Sequence, residues 1–335
     1  MITATARIAQ PASRWQRDWR EAVTDPVALL EALDLPGLCG EIAWPAPGEF
    51  PLRVPRAYVA RMRRRDPRDP LLRQVLPLDL ERRVVEGYAA DAVGDGAARV
   101  APGVIRKYEG RALLVATGSC AIHCRYCFRR HFPYAEETAA RDGWREAVQW
   151  LQAAPDIGEL ILSGGDPLSL ATAKLAELTA ALRGVAHLRR LRIHTRLPVV
   201  LPSRVDDELL AWLSGLPWPV AIVLHANHAN EIDDEVARAC ARLRGAGGVL
   251  LNQSVLLRGV NDDAGVLAAL SEALFAHGVL PYYLHQLDRV DGTSHFEVSD
   301  ERAVALREAL RRRLPGYLVP RLVRERAGEP HKTPL

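Results

Sequence analysis

Between residues 113 and 314 the chain alternates between two hydrophobic rhythms. Short apolar runs at residues 113–116, 160–162, 191–193, 220–224, 249–251 and 281–284 read as buried strands. Each is followed by a segment at helical spacing, at residues 144–153, 171–182, 206–213, 233–243, 264–277 and 300–314. Six strand-then-helix units predict a parallel sheet with right-handed crossovers. Six are too few for the usual closed barrel of eight, so the expected fold class is α/β, a partial and open (β/α)6 barrel over residues 101–335.

The first hundred residues lack that rhythm. Residues 15–35 carry apolar side chains near helical spacing, and Asp25-Pro26 predicts a capped helix start with proline in the first turn. Residues 44–55 are proline-rich and predict loop, while Asp69-Pro70 opens another short helix. This part is expected to be a helical N-terminal extension, residues 1–100, packed on the barrel and holding no catalytic constellation.

Composition narrows the class. A chain of 335 residues, 48% hydrophobic, can bury a large core. Its 44 basic and 41 acidic residues leave a net charge of +3, which calls for neither a polyanion nor an anionic membrane. The basic run at residues 61–68 is broken by Asp66 and has no aromatic interleaving, so it reads as a solvated face rather than a nucleic-acid site. No stretch has the apolar length of a secretory signal or a membrane span. The five cysteines cluster instead of pairing along the chain, so the expected location is the reducing cytoplasm.

Two details point to chemistry. Only three lysines occur, Lys107, Lys174 and Lys332. Arginine replaces lysine wherever charge alone is wanted but cannot form an imine, so each surviving lysine is a candidate for amine chemistry. Lys174 lies in an amphipathic helical segment and reads as a surface residue, which leaves Lys107 and Lys332. The second detail is Cys120-Ala-Ile-His-Cys124-Arg-Tyr-Cys127. This spacing supplies three thiolates from one loop, which suits a four-iron, four-sulfur cluster with one iron open to a reactant. A zinc site is the competing reading, with His123 or His131 as fourth ligand.

The other polar motifs fall at the predicted carboxyl ends of strands, where barrels of this kind build their sites. The cysteine loop follows the first strand, Ser163-Gly164-Gly165-Asp166 the second, His194-Thr-Arg196 the third and His225-Ala-Asn-His228 the fourth. Gln253 lies in or just after the fifth, and Asp288 follows the sixth. Absent side chains in the Gly-Gly turn would let backbone approach a ligand closely.

The cysteine segment resembles the cluster loop of the radical S-adenosylmethionine enzymes, and Cys127-Phe-Arg129-Arg130 resembles the lysine 2,3-aminomutase family within them. Ser163-Gly-Gly-Asp166-Pro-Leu, His225-Ala-Asn-His228, Asn252-Gln253-Ser-Val-Leu-Leu, Pro281-Tyr-Tyr-Leu-His-Gln-Leu-Asp288 and Lys332-Thr-Pro-Leu follow in the family's order. The segment is also similar to the branch that supplies β-lysine for modifying elongation factor P.

The resemblance implies a [4Fe-4S] cluster on Cys120, Cys124 and Cys127, S-adenosylmethionine, and pyridoxal 5′-phosphate carried by Lys332. It assigns Lys107, Tyr108 and Arg111 to the pyridoxal phosphate group, and Ser163, Gly164, Gly165, Asp166, His225 and Gln253 to S-adenosylmethionine. Arg129 is assigned to the substrate carboxylate, and Asp288 and Glu325 to a distant ammonium; Arg130 reads as structural.

The implied reaction is radical 1,2-amino migration from L-lysine to (R)-β-lysine. An electron donor such as flavodoxin or ferredoxin is implied, with a link to elongation factor P and its lysyl-ligase-like modifier. An aminomutase for another amino acid, such as arginine or glutamate, and a non-catalytic iron-sulfur or zinc module are the alternative readings. Degradative members continue into a cysteine-bearing tail that binds zinc between subunits; this sequence ends three residues after Lys332, so that zinc site is not expected and the oligomeric state stays open.

Overall fold

The computed structural model describes residues 13–44 and 50–335; the first twelve residues, where no signal was expected, and residues 45–49 of the proline-rich stretch lie outside it. Before the barrel come four short helices, α1 (Arg14–Arg20), α2 (Pro26–Ala32), α3 (Arg56–Val59) and α4 (Pro70–Arg73). Asp25 caps α2 by accepting from the Val27 amide at 2.9 Å, as its sequence predicts. Asp69 does the same for α4, accepting from the amides of Leu71 and Leu72, both at 2.9 Å.

The barrel begins with a hairpin, β1 (Arg99–Ala101) and β2 (Val104–Tyr108), that the apolar pattern does not predict. Its second strand, Val-Ile-Arg-Lys-Tyr, carries too much charge to read as buried, because its polar half faces the site. Then follow β3 (Arg111–Thr117), α5 (Arg145–Gln152), β4 (Glu159–Gly164), α6 (Thr172–Leu182) and β5 (Arg190–Thr195). The chain continues through α7 (Leu197–Val200), α8 (Asp207–Ser214), β6 (Val220–Leu224), α9 (Asp234–Gly245) and β7 (Gly248–Val255). Last come α10 (Ala264–Ala276), β8 (Leu280–His285), α11 (Asp300–Arg313), β9 (Arg321–Arg324) and β10 (Thr333–Pro334).

All six predicted strands and all six predicted barrel helices are present. Helices α8, α9, α10 and α11 start where Asp206, Asp233, Asp263 and Ser299 accept from first-turn amides, which is why their starts were readable.

The ten strands form one sheet in sequence order. Strands β3 to β9 are all parallel, and β1, β2 and β10 add antiparallel edges. The parallel set therefore has a seventh member beyond the six expected. Strand β9, Arg-Leu-Val-Arg, is too short and too charged at its ends to stand out in sequence. The sheet does not pair β1 with β10, yet Lys107 on β2 lies 3.4 Å from Glu325, the residue after β9. The sheet is thus curled until its two edges face each other.

One hydrophobic cluster joins Leu29, Leu30, Leu71 and Leu72 of the N-terminal helices to Leu114, Leu160 and Leu162 of the strands. Leu71 is fully buried in it. Leu71→Ala is therefore expected to lower stability by about 2–5 kcal/mol in denaturant titration, the usual range for a large-to-small core change. The loss should appear in a single transition that includes the barrel. Two separate transitions, with only the first displaced, would contradict the shared core.

Candidate active site

At the carboxyl ends of the strands lies a cavity of about 300 Å³, lined by all sixteen residues to which the resemblance gave a role. Cys120, Cys124, Cys127 and Arg129 reach it from the loop after β3, and Ser163 to Asp166 from the end of β4. His225 comes from the end of β6, Gln253 from β7 and Asp288 from beyond β8. Lys107, Tyr108 and Arg111 come from β2 and the start of β3, and Glu325 and Lys332 from the segment joining β9 to β10. Lys174 sits elsewhere, exposed and paired with Glu177 at 2.6 Å, as a surface lysine should be.

The cysteine loop is held by the N-terminal part of the chain. Arg125 and Arg130, on either side of Cys127, both reach the buried Glu81, with Arg125 Nε 2.8 Å and Arg130 Nη2 2.7 Å from its carboxylate. The Arg125 amide donates to the Gln74 carbonyl at 2.8 Å and the His123 amide to that of Arg53 at 3.0 Å. Arg130 thereby ties the cysteine loop to the N-terminal part of the chain. His123 stacks on Phe50 with ring centroids 4.6 Å apart and donates Nδ1–H to the Pro51 carbonyl, while His131 is exposed beside the Asp291 carbonyl. Neither lines the cavity, so the donor set is three thiols with no histidine beside them. That fits a cluster with an open iron better than a closed zinc site. Burial pushes the thiols of Cys120 and Cys127 up, Cys127 to about 11, so both need a compensating cation to be thiolates.

The turn after β4 is packed closely on the chain itself. A Cβ on Gly164 would meet the Thr117 carbonyl oxygen at 2.5 Å, and one on Gly165 would meet that of Ser119 at 2.5 Å. Gly164 also has φ +118°, outside the ordinary range of residues with a side chain. The two glycines let this turn lie against the backbone that leads into the cysteine loop, while both also line the cavity.

Asp166 is likewise occupied. Its Oδ1 accepts from the Leu168 amide at 3.0 Å and from Thr195 Oγ1 at 2.7 Å; its Oδ2 accepts from the amides of Arg196 at 2.7 Å and Leu197 at 3.0 Å. With both oxygens taken, Asp166 holds the end of β5 in place. Burial pushes its pKa up to about 6 in spite of those donors.

Five charged side chains run across the cavity wall in alternating sign. Arg129 donates Nε–H to Asp95 Oδ2 at 2.6 Å, and Asp95 Oδ1 lies 2.6 Å from Lys107 Nζ. Lys107 lies 3.4 Å from Glu325 Oε1, and Glu325 Oε2 accepts from Lys332 Nζ at 2.9 Å. Burial opposes charge on both acids, but their cationic neighbours hold Asp95 and Glu325 below the usual carboxylate range.

Lys107 and Glu325 are inner links of this run. Lys107 donates to the Val93 carbonyl and to Glu325 and forms an ion pair with Asp95, so it braces the wall. Glu325 has one oxygen on each of the two lysines, Oε1 3.4 Å from Lys107 and Oε2 2.9 Å from Lys332.

Other polar atoms in the cavity have no partner among the described residues. Arg111 Nε is buried and unpaired, with its guanidinium 4.9 Å from the centre of the Tyr108 ring, which suits an arriving phosphate. Asp288 Oδ1 is unpaired, and burial pushes that carboxyl up to about 7 although Lys332 pulls the other way. The Nε2 atoms of His194, His225 and His285 are unpaired as well. Burial keeps all three imidazoles neutral, His225 with a pKa of about 3. They form a wall of neutral hydrogen-bonding groups suited to an uncharged heterocycle.

Two members of this site escape sequence reasoning, His285 and Asp95. His285 carries a weak signal, its position at a strand end. Asp95 carried none, since it lies in a loop of the N-terminal part where no catalytic group was expected.

Comparison with known proteins agrees with this arrangement. The family description "Radical SAM superfamily" matches residues 114–269. The chain is 45% identical to an "L-lysine 2,3-aminomutase" of Haemophilus influenzae over 97% of each chain. It is 46% identical to one of Escherichia coli, covering 96% of this chain and 94% of the relative. A third relative of the same name, from Clostridium subterminale, is 36% identical over 83% of this chain and 67% of its own. At such identity over nearly full length the conclusion is direct: this chain belongs to the lysine 2,3-aminomutase family of radical S-adenosylmethionine enzymes.

Proposed function

We propose that this protein is an L-lysine 2,3-aminomutase, moving the α-amino group of L-lysine to the β-carbon to give (R)-β-lysine. The observation that carries the reading is that three closely spaced thiols and the near-terminal Lys332 face one cavity. The family's cofactors are a [4Fe-4S] cluster, S-adenosylmethionine and pyridoxal 5′-phosphate, and the donors present fit them: three thiols, unpaired imidazole nitrogens, an arginine with an unused N–H, and a lysine. When bound, these groups supply a radical that takes a substrate hydrogen and the electron sink through which nitrogen shifts.

The chain's own residues select and orient. Arg129, fixed by Asp95 through Nε and by Ser163 through Nη1, keeps Nη2 for the substrate carboxylate. The rings of Phe128 and Phe132 beside its guanidinium exclude water from that contact. Asp288, with its unpaired oxygen, takes the distant ammonium. Glu325 accepts a hydrogen bond from Lys332 Nζ at Oε2 and so holds that amine at the cavity, where bond formation requires it. Arg111, its guanidinium over the Tyr108 ring and its Nε unpaired, would hold the pyridoxal phosphate group. Ser163 acts through Arg129, and Gln253 and His225 face the region left for S-adenosylmethionine.

The same reading makes β-lysine a precursor for elongation factor P modification, supported by the Cys-Arg-Tyr-Cys-Phe-Arg-Arg-His-Phe-Pro-Tyr segment. It gives the cluster a flavodoxin or ferredoxin as electron source, in the cytoplasm. Among the described residues no helix is long and apolar enough to cross a membrane.

Anaerobic incubation with L-lysine, dithionite and S-adenosylmethionine should yield (R)-β-lysine on chiral analysis. Equal or faster turnover of L-arginine or L-glutamate would overturn the substrate assignment. Lys332→Ala should lose the visible pyridoxal absorbance while keeping its iron, and Cys127→Ala should lose iron and keep the absorbance. An absorbance that survives in Lys332→Ala would refute the role of that lysine.

Asp288 accepts an ammonium only when ionised, and its carboxyl is protonated up to a pH of about 7. For an acid raised in this way, the charged form is present above that pH and lost as pH falls through it. KM for lysine is therefore expected to fall as pH rises through 7. Asp288→Asn should lack that dependence and raise KM by roughly tenfold or more, the loss of one charged hydrogen bond. An unchanged pH profile in the variant would remove Asp288 from substrate binding.

A further inference from the structure

The buried guanidinium of Arg196 lines the site and has no part in the proposed chemistry. It follows β5, and its Nη1 donates to Cys124 Sγ at 2.7 Å. Its direction is fixed from four places in the chain. Nη2 donates to Gln74 Oε1 at 2.7 Å, to Glu231 Oε2 at 2.8 Å and to Tyr58 Oη at 3.1 Å, while Asp166 holds its backbone amide. The rings of Tyr58 and Tyr126 lie 5.4 and 5.6 Å from the guanidinium carbon. Glu231, fully buried, is itself fixed by the amides of Asn227 and His228 and by Gln74 Nε2.

We infer that Arg196 is a positioning residue for the cluster: it gives one chosen thiolate, that of Cys124, a charged hydrogen-bond donor and thereby raises the cluster's reduction potential. The inference rests on the cluster reading proposed above. Among the described residues no other side chain donates to a cysteine of the trio. Asp166, an anion, stands near Cys120 instead, so the field across the three sulfurs is uneven.

Reduction adds one electron and no proton to the cluster, the electron coming from an external one-electron reductant. The added charge is shared by the thiolate sulfurs, and a fixed N–H donor bearing a positive charge stabilises the reduced form more than the oxidised one. Glu231 tempers the effect as the guanidinium's counter-charge. A purely structural arginine would be indifferent to the oxidation state of the sulfur it touches.

The test is a dithionite titration of anaerobically reconstituted full-length protein, followed by electron paramagnetic resonance, with iron and sulfide measured on each sample. In Arg196→Met with full iron, the ratio of reduced to oxidised cluster at a fixed potential should fall about tenfold, a midpoint about 59 mV more negative for one electron. Glu231→Gln keeps the shape and removes the counter-charge, so its midpoint should move the opposite way. Loaded variants with the wild-type midpoint would overturn the inference. Should Arg196→Met fail to hold iron, Glu231→Gln decides alone: a positive shift supports the assignment and no shift ends it. Wild-type protein that takes up no iron would instead overturn the cluster reading itself.

Discussion

Charge closes this barrel where backbone hydrogen bonds do not. The sheet ends at β1 on one side and β10 on the other, and the run Arg129–Asp95–Lys107–Glu325–Lys332 spans the remaining gap. Buried charges are costly unless each meets an opposite one, and here every inner member meets two. Removing any link would leave a partner uncompensated, so the geometry of the whole wall is shared. The consequence for function is positional. Lys332, three residues from the end of the sequence, is held by β10 pairing with β9 and by Glu325, so an otherwise frayed lysine becomes a fixed one.

The opposite wall depends on the N-terminal part of the chain. Glu81 binds the two arginines that bracket Cys127, and Tyr58 and Gln74 hold Arg196 against Cys124. Short helices that look like packing material are thus part of the apparatus that aims the thiols. Because those helices share one hydrophobic cluster with the strands, the aim is transmitted through the core itself and not through a flexible joint.

Between these walls the cavity separates two kinds of polar group. Groups that brace the structure, such as Lys107, Glu325 and Asp166, have their donors and acceptors already taken. Groups with unused atoms, namely Arg111, Asp288 and the three imidazoles, are where a ligand gains the most, since it satisfies a buried atom that is otherwise unpaired. A residue's presence in a family motif does not tell these two kinds apart. Gly164 and Gly165 illustrate the point: their lack of side chains serves contact with residues 117–119 of the chain itself.

The sequence alone determined what is written locally. Strand and helix order and the aspartate starts of α2 and α4 follow from residues near one another along the chain, and each is present where expected; the loop of three cysteines and the scarcity of lysine are read from the sequence directly. The family motifs likewise put sixteen residues around one cavity. Tertiary structure decided the rest: the hairpin β1–β2, the short strands β9 and β10, the place of Asp95, and which polar atoms are spent or spare. The reason is physical. Periodicity and capping act over a few residues, whereas pairing of a buried charge joins residues such as Lys107 and Glu325, whose separation in sequence leaves no local trace.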